Sequence, residues 1–442
     1  MSKKFVLSLA LALAFVCVLG EAQDRVDQDR GRSSRDDQQT DRQQRSIDQE
    51  TAANTSAAGQ NAHVSRLPIR SLLYPGATTK IYVRVMPWFG DSKHVQVGYR
   101  SDDAAQVSSQ VQDMMSRGID AGIVDWYGPD HGVSGQSTDL LFRESQARGF
   151  GFGISVDGGP LKECMKKGCD VTGFLLSELK YAEQNYERSN IYVRWHDRPL
   201  VFFFDGEKYP VDWERIRSSL RMNPLFIFRN SGAFDNRNDD GAFSWLAPEA
   251  ATSQDPESLQ YLERFYSRAQ RSPDKLAVGS VYRGFNDERA SWGSGRRIPD
   301  NCGQTWLDTF AVINRHYSAS RQLPALMIVT WNDYEEGTAI EPGVGCPANL
   351  KAWLDGNRLM WNFSGNRNQV DHFTIFESSD RRTLVKVGEV APDKTAFDLR
   401  GHDLRGGGWL YVKAVGKPSM LDAISTPVNM RGERERGDDD DR

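Results

Sequence analysis

A chain of 442 residues that is 39% hydrophobic is long enough for one large core and a smaller second one. Its formal net charge of −5 offers no basic surface to a phosphate backbone, so nucleic acid is excluded as the expected partner. With 7 His and no Gly-x-Ser-x-Gly elbow opening a helix, an esterase or lyase has little to work with.

Residues 1–22 begin with Lys3 and Lys4, continue through an apolar run over 5–19, and end on Gly20, Glu21 and Ala22. A positive start, an apolar run too short to cross a bilayer and small residues before the cut read as a secretory signal peptide, cleaved after Ala22. The expected location is therefore extracellular or periplasmic. Over 23–65, Asp, Arg, Gln and Ser dominate, a composition that buries too little surface to offset the entropy of ordering. That stretch is expected to be a disordered polar linker. Residues 431–442 read as a charged, solvated tail, and no later run is apolar enough for a membrane span.

Between these ends, apolar strand-like runs alternate with helical patterns. The runs fall at 81–85, 122–125, 152–156, 199–204, 225–228, 243–245, 276–282 and 326–330. Residues 102–117 space Val107, Val111 and Met114 near the helical period behind the cap candidates Ser101, Asp102 and Asp103. Further helical patterns lie at 171–188, 257–270 and 304–317. Repeated strand–helix units over this length predict an α/β fold, a (β/α)8 barrel of the TIM kind, across 66–353. The rival, an open doubly wound sheet, calls for a Gly-rich phosphate loop after its first strand, and residues 86–90 are no such loop.

From 354 to 430 the pattern changes to short strands at 373–376, 384–387, 395–397 and 409–414, separated by Gly, Asp and Pro turns. This predicts a small β-sandwich of fibronectin type III or immunoglobulin-like kind. Spacing and carbohydrate or surface attachment are equal candidates for its role. Without Cys17, four cysteines remain, an even count that favours two disulfides in an exported chain. Cys164 and Cys169 would close a small local loop, and Cys302 with Cys346 would tie the loops after the last two barrel strands. The alternative is four free thiols. No Cys-x-x-Cys or nearby His accompanies either pair, so zinc is not expected. Asp300 and Asn301 read as solvated loop residues rather than metal ligands.

In a barrel of this kind the active site forms where the strands end. The strand ends carry Trp88; Asp125, Trp126 and Tyr127; Asp157; Asp205 and Glu207; Tyr282; and Trp331, Asn332, Asp333, Tyr334, Glu335 and Glu336. A single Asp after a strand is more often a helix cap, and a single Trp more often core. Gathered at one rim, acids and aromatics suit a sugar cleft, because carboxylates move protons and rings stack on pyranose faces. Asp333 and Glu336 are spaced so that one turn of chain points both carboxyls the same way. Glycoside cleavage needs two carboxyl groups at one bond, one protonated and one ionised, and crowding raises the pKa of the donor. Glu335 and Glu341 are competing candidates.

The segment Trp331-Asn332-Asp333-Tyr334-Glu335-Glu336-Gly337-Thr338-Ala339-Ile340-Glu341-Pro342 resembles the signature of glycoside hydrolase families 99 and 71. Val97-Gly98-Tyr99 with Ser101-Asp102-Asp103, and Gly118-Ile119-Asp120 through Asp125-Trp126-Tyr127-Gly128, are similar to the family 99 pattern. The resemblance covers about residues 78 to 345. It implies an endo-acting glycosidase for α-linked mannan or glucan, working without a cofactor or metal, with Glu336 as general acid/base and Asp333 as the second carboxylate. In family 99 a Glu in that second place takes the proton of a sugar 2-hydroxyl, whereas family 71 carries Asp and inverts. Trp88, Asp125, Trp126, Tyr127, Asp205, Glu207, Tyr282, Trp331, Asn332 and Tyr334 are the expected cleft residues. The partner expected is an oligo- or polysaccharide; oligomeric state is not readable. The alternative function is a barrel that binds polysaccharide without cleaving it.

Overall fold

The computed structural model describes residues 63–402, 404 and 408–430. The signal peptide expected over 1–22, the linker up to residue 62 and the tail over 431–442 lie outside the described residues.

Eight parallel strands form a closed barrel. They are β1 (Lys80–Val85), β2 (Ala121–Trp126), β3 (Gly151–Asp157), β4 (Arg198–Phe204), β5 (Leu225–Arg229), β6 (Gly241–Phe243), β7 (Leu276–Tyr282) and β8 (Ala325–Val329). Closure comes from β8 pairing with β1 in the register Lys80↔Ala325 and from β3 pairing with β4 in the register Ile154↔Val201. Every residue of β2, β7 and β8 is buried, as expected of strands with side chains inside the barrel and helices outside it. The sixth strand lies slightly ahead of the segment expected at 243–245 and has only three residues. Gly241 opens it because a Cβ there would run into the backbone of Leu276 on the next strand.

The helices are α1 (Ala104–Ser116), α2 (Gly132–Arg148), α3 (Gly158–Lys166), α4 (Val171–Asn185), α5 (Trp213–Ser219), α6 (Leu259–Ala269) and α7 (Gln304–His316). Asp103 caps α1 as its sequence suggests, accepting the N–H groups of Ala105 and Gln106. Helix α2 escaped the periodicity reading because its buried face is mostly small and polar: Gly135, Ser137, Thr138 and Ser145 beside Leu141. After β5 a 3-10 turn, Ser231–Asp235, takes the place of a helix.

The two disulfides are Cys164–Cys169, with Cα atoms 5.3 Å apart, and Cys302–Cys346, at 4.7 Å. The first closes the end of α3, and the second ties the loop after β7 to the loop after β8.

Beyond the barrel, β9 (Asn349–Asp355), β10 (Arg358–Ser364), β11 (Val370–Ser378), β12 (Val385–Val390), β13 (Ala396–Asp398), β14 (Trp409–Gly416), β15 (Ala423–Ile424) and β16 (Val428–Asn429) form two antiparallel sheets. One holds β9, β10 and β13; the other holds β12, β11, β14, β15 and β16. Leu350, Leu359 and Trp361 from the first pack with Phe373, Ile375 and Val412 from the second in a core of their own. The boundary expected after residue 353 falls inside β9. That hairpin was missed because β9 keeps only Leu350 fully buried and exposes alternate residues. Met420 belongs to the barrel core, and Trp306 Nε1 donates to the Pro418 carbonyl at 3.2 Å, so the two cores are joined across α7. Among the described residues no helix is long and apolar enough to cross a membrane.

Candidate active site

The loop after β8 is tied to itself before it presents any side chain. Thr330 N donates to Thr338 O at 3.1 Å, and the two threonine hydroxyls lie 2.9 Å apart. Thr330 Oγ1 accepts Asp333 N at 2.9 Å, while the Asp333 carbonyl accepts Thr338 N and Ala339 N at 3.0 and 3.2 Å. The Asp333 carboxyl continues the pattern: Oδ1 accepts the N–H groups of Glu335 and Glu336 at 3.0 and 2.9 Å. Asp333 is 2% exposed, and no described group hydrogen-bonds to its Oδ2.

Glu336, one turn on, is partly exposed. Its Oε1 accepts the indole N–H of Trp292 at 3.1 Å, and its backbone carbonyl accepts Asn286 N at 2.8 Å. Among the described residues neither Asp333 nor Glu336 stands in an ion pair. Burial pushes the Asp333 carboxyl well above the usual range, and the charge of Glu336 pushes the same way against the opposing Glu336 N–H. Glu336 is raised as well, first by burial; Trp292 and Arg296 oppose the shift, and Asp287 and Asp125 add to it.

The competing acids are committed elsewhere. Glu335 is buried, with Oε1 accepting Val95 N at 3.0 Å and Oε2 lying 2.9 Å from His94 Nδ1. Glu341 accepts the hydroxyls of Tyr99 and Tyr334, both at 2.9 Å, and Gln110 Nε2 at 3.0 Å. Tyr334 is thereby a tie within the loop. Asn332 pins the first loop, its amide accepting Met86 N at 2.8 Å and donating to Met86 O at 3.0 Å.

Around this pair stand the other strand ends. Asp125 is buried in an ion pair with Arg84 and accepts the Tyr127 hydroxyl at 3.1 Å. Arg84 also donates to Ser155 Oγ and lies 4.7 Å from the Phe204 ring centroid. Asp157, at the end of β3, is raised to about 7 by burial and then by the Asp125 charge. Asp205 pairs with Arg229 and with Lys208, the latter at 2.7 Å. Glu207 is exposed on a 3-10 turn. Trp88 stacks on His94 with centroids 4.6 Å apart and meets Tyr127 and Trp292 edge-on at 6.1 and 6.2 Å. Its Nε1 is buried, and no described group accepts from it.

Three expected cleft residues are core instead. Trp126 is 1% exposed and meets Tyr186 edge-on; Trp331 is fully buried, 4.9 Å from the Arg117 guanidinium; Tyr282 is fully buried with its hydroxyl on the Glu257 carbonyl at 2.8 Å. Alternation along a strand explains the first: Asp125 points inward to Arg84, so Trp126 must point out into the helix layer. Sequence reasoning missed Arg84, His94, Arg229 and Trp292. An Arg inside an apolar strand is a signal for a buried carboxylate partner, and Arg84 had it. Trp292 sits in a Gly- and Ser-rich loop, where no periodicity points anywhere.

Among the described residues no group of three or more His, Cys, Asp or Glu is placed to hold a metal ion. A hollow of about 760 Å³ at the other end of the barrel, by Lys275, Ala277 and Pro324, has no carboxylate in its lining.

The fold and rim define a (β/α)8 barrel whose strand ends gather carboxylates and aromatic rings. No protein-family model matches the chain, and no curated protein does. Among solved structures it is similar to a GH99 endo-alpha-mannosidase from Bacteroides thetaiotaomicron, at 17% identity with bis-tris propane bound and 16% in a second structure. Both likenesses have a TM-score of 0.47 and cover 61% of this chain and 89% of the other. A pectate lyase from Pectobacterium carotovorum aligns at 16% identity over 19% of this chain and 26% of its own, with a TM-score of 0.16.

Proposed function

We propose that this chain is a secreted, endo-acting glycoside hydrolase for α-linked glycan of mannan or glucan type, with Asp333 and Glu336 as its working carboxylates. One observation carries the reading. Two carboxyls rise from a single turn of the loop after β8, both outside any ion pair among the described residues and both pushed upward by burial, beside the rings of Trp88, Tyr127 and Trp292. Glu336, protonated, donates to the glycosidic oxygen as the bond to the anomeric carbon breaks. Asp333, with Oδ1 fixed by two backbone donors, acts in its ionised form: Oδ2 accepts a proton from the water whose oxygen forms the new bond to the anomeric carbon, and its raised pKa sets the pH above which turnover begins. Asp205 and Glu207 bind sugar hydroxyls along the rim, Trp88 and Tyr127 face the ring, and Asp125 holds the Tyr127 hydroxyl from beneath.

Glu336→Gln tests the assignment, because the amide keeps shape and loses the proton. Release of reducing ends from α-mannan or α-glucan should fall about 10²–10⁴-fold with an unchanged unfolding midpoint. Undiminished turnover removes Glu336 from the chemistry. The burial of Asp333 and its two backbone bonds favour a second reading, a barrel that binds polysaccharide without cleaving it. Glycan retention by the parent protein with no product released supports that one.

A further inference from the structure

The loop after β7 is built as a small hairpin rather than a loose connection. Phe285 and Asn286 pair antiparallel with Ile298 and Arg297. Asp287, fully buried, knots the turn by accepting Arg296 N and Arg296 Nε, both at 2.8 Å, and Ser294 N at 3.1 Å. Gly293 is required inside this knot, since a Cβ there would collide with the Asp287 carbonyl oxygen. Asn286 N reaches across to the Glu336 carbonyl at 2.8 Å, so the base of the hairpin is fastened to the residue it serves. At the tip stands Trp292, 46% exposed, its indole N–H on Glu336 Oε1 and its ring edge-on to Trp88 and to His94 at 6.2 and 6.0 Å. The knotted turn, not core packing, fixes where this ring stands.

We propose that Trp292 is a positioning residue: the hairpin holds its indole N–H on Oε1 of Glu336, so that Oε2 alone is presented to the sugar, while its ring extends the aromatic wall begun by Trp88. The chemistry of this inference rests on the hydrolase reading; its geometry does not. An N–H donor stabilises the ionised carboxylate, so losing it raises the proton affinity of Glu336. The charged groups facing Glu336 are Arg296 and Asp287 from the hairpin, Asp125 from the end of β2 and Asp333 from its own loop, with His94 against Trp292. None of them is altered by substitution at 292.

Two variants divide the roles. Trp292→Phe keeps a ring and loses the donor, whereas Trp292→Leu loses both. With Trp292→Phe the upper pH limb of turnover should move up by about one pH unit, a tenfold change in proton affinity, with KM unchanged. Trp292→Leu should show the same shift and raise KM about three- to tenfold through the lost stacking. The titration of Glu336 is also read without turnover, by carboxyl-carbon NMR of Glu-labelled protein with Glu336→Gln for assignment. An unmoved Glu336 titration in Trp292→Phe overturns the proposal. A moved titration in a protein that releases no product keeps the pairing and sinks the hydrolase reading instead.

Discussion

On the proposed reading, Asp333 serves the loop and the chemistry with different atoms. Oδ1 accepts two backbone N–H groups that would otherwise be buried without partners, and Oδ2 has no described partner. An amide at this place keeps the oxygen that the loop needs. Asp333→Asn should therefore unfold at the parent midpoint while turnover falls about 10²-fold or more, and Asp333→Ala should lose about 1–3 kcal/mol of stability as well. Equal activity in parent and Asp333→Asn would leave Asp333 as a staple only. Asp157 offers a pH test. Its folded pKa of about 7 lies above the usual unfolded value of about 3.9. The folded state thus holds the proton longer, and stability from this site is full below about pH 4 and lost as pH rises toward 7. Asp157→Asn keeps the cap on Gly159 N and should leave stability unchanged at pH 4 while adding about 1–3 kcal/mol at pH 8 by urea denaturation. A gain equal at both pH values contradicts the assignment. At this scale the sequence disclosed residue types better than directions. That Asp333 and Glu336 share one turn follows from spacing, but the inward turn of Asp125 and the outward turn of Trp126 depend on a strand phase that a fully apolar run does not reveal.

At the scale of elements, the loops after β7 and β8 act as one unit. They meet at Asn286 and Glu336 and are bonded through Cys302 and Cys346. That bond joins residues 44 apart, against 5 for Cys164–Cys169. Restricting the longer loop in the unfolded chain is worth about 4 kcal/mol and the shorter about 2 kcal/mol. Cys302→Ser should accordingly lower the guanidinium midpoint more than Cys164→Ser and should reduce turnover, which Cys164→Ser leaves near the parent value. The reverse order would mean that this disulfide does not hold the loops after β7 and β8 in place. Strands were legible because their apolar runs are bounded by Gly, Pro and Asp. Helix α2 and the hairpin carrying Trp292 were not, one because it buries small polar residues and the other because its order comes from the Asp287 knot.

Among the described residues, two cores share a seam. Met420 lies among barrel residues and Val344 pairs with it, so the antiparallel sheets are anchored to the barrel by more than chain connectivity. Met420→Ala should destabilise the protein by about 2–5 kcal/mol while the two cores continue to unfold in one transition. Separate transitions in the parent protein would mean that the seam is dispensable. The change from alternating units to turn-rich strands announces the second core in sequence, whereas its first hairpin lies hidden ahead of the expected boundary.

The central claim, that a sugar is cleaved between Asp333 and Glu336, is tested most directly by a crystal structure of Glu336→Gln soaked with an α-linked tetrasaccharide. The account predicts a glycosidic oxygen within hydrogen-bonding distance of the side chain at 336, Asp333 Oδ2 facing the reacting sugar, and a pyranose against Trp88, Tyr127 and Trp292. A saccharide seated elsewhere on the molecule, with this rim empty, would contradict it.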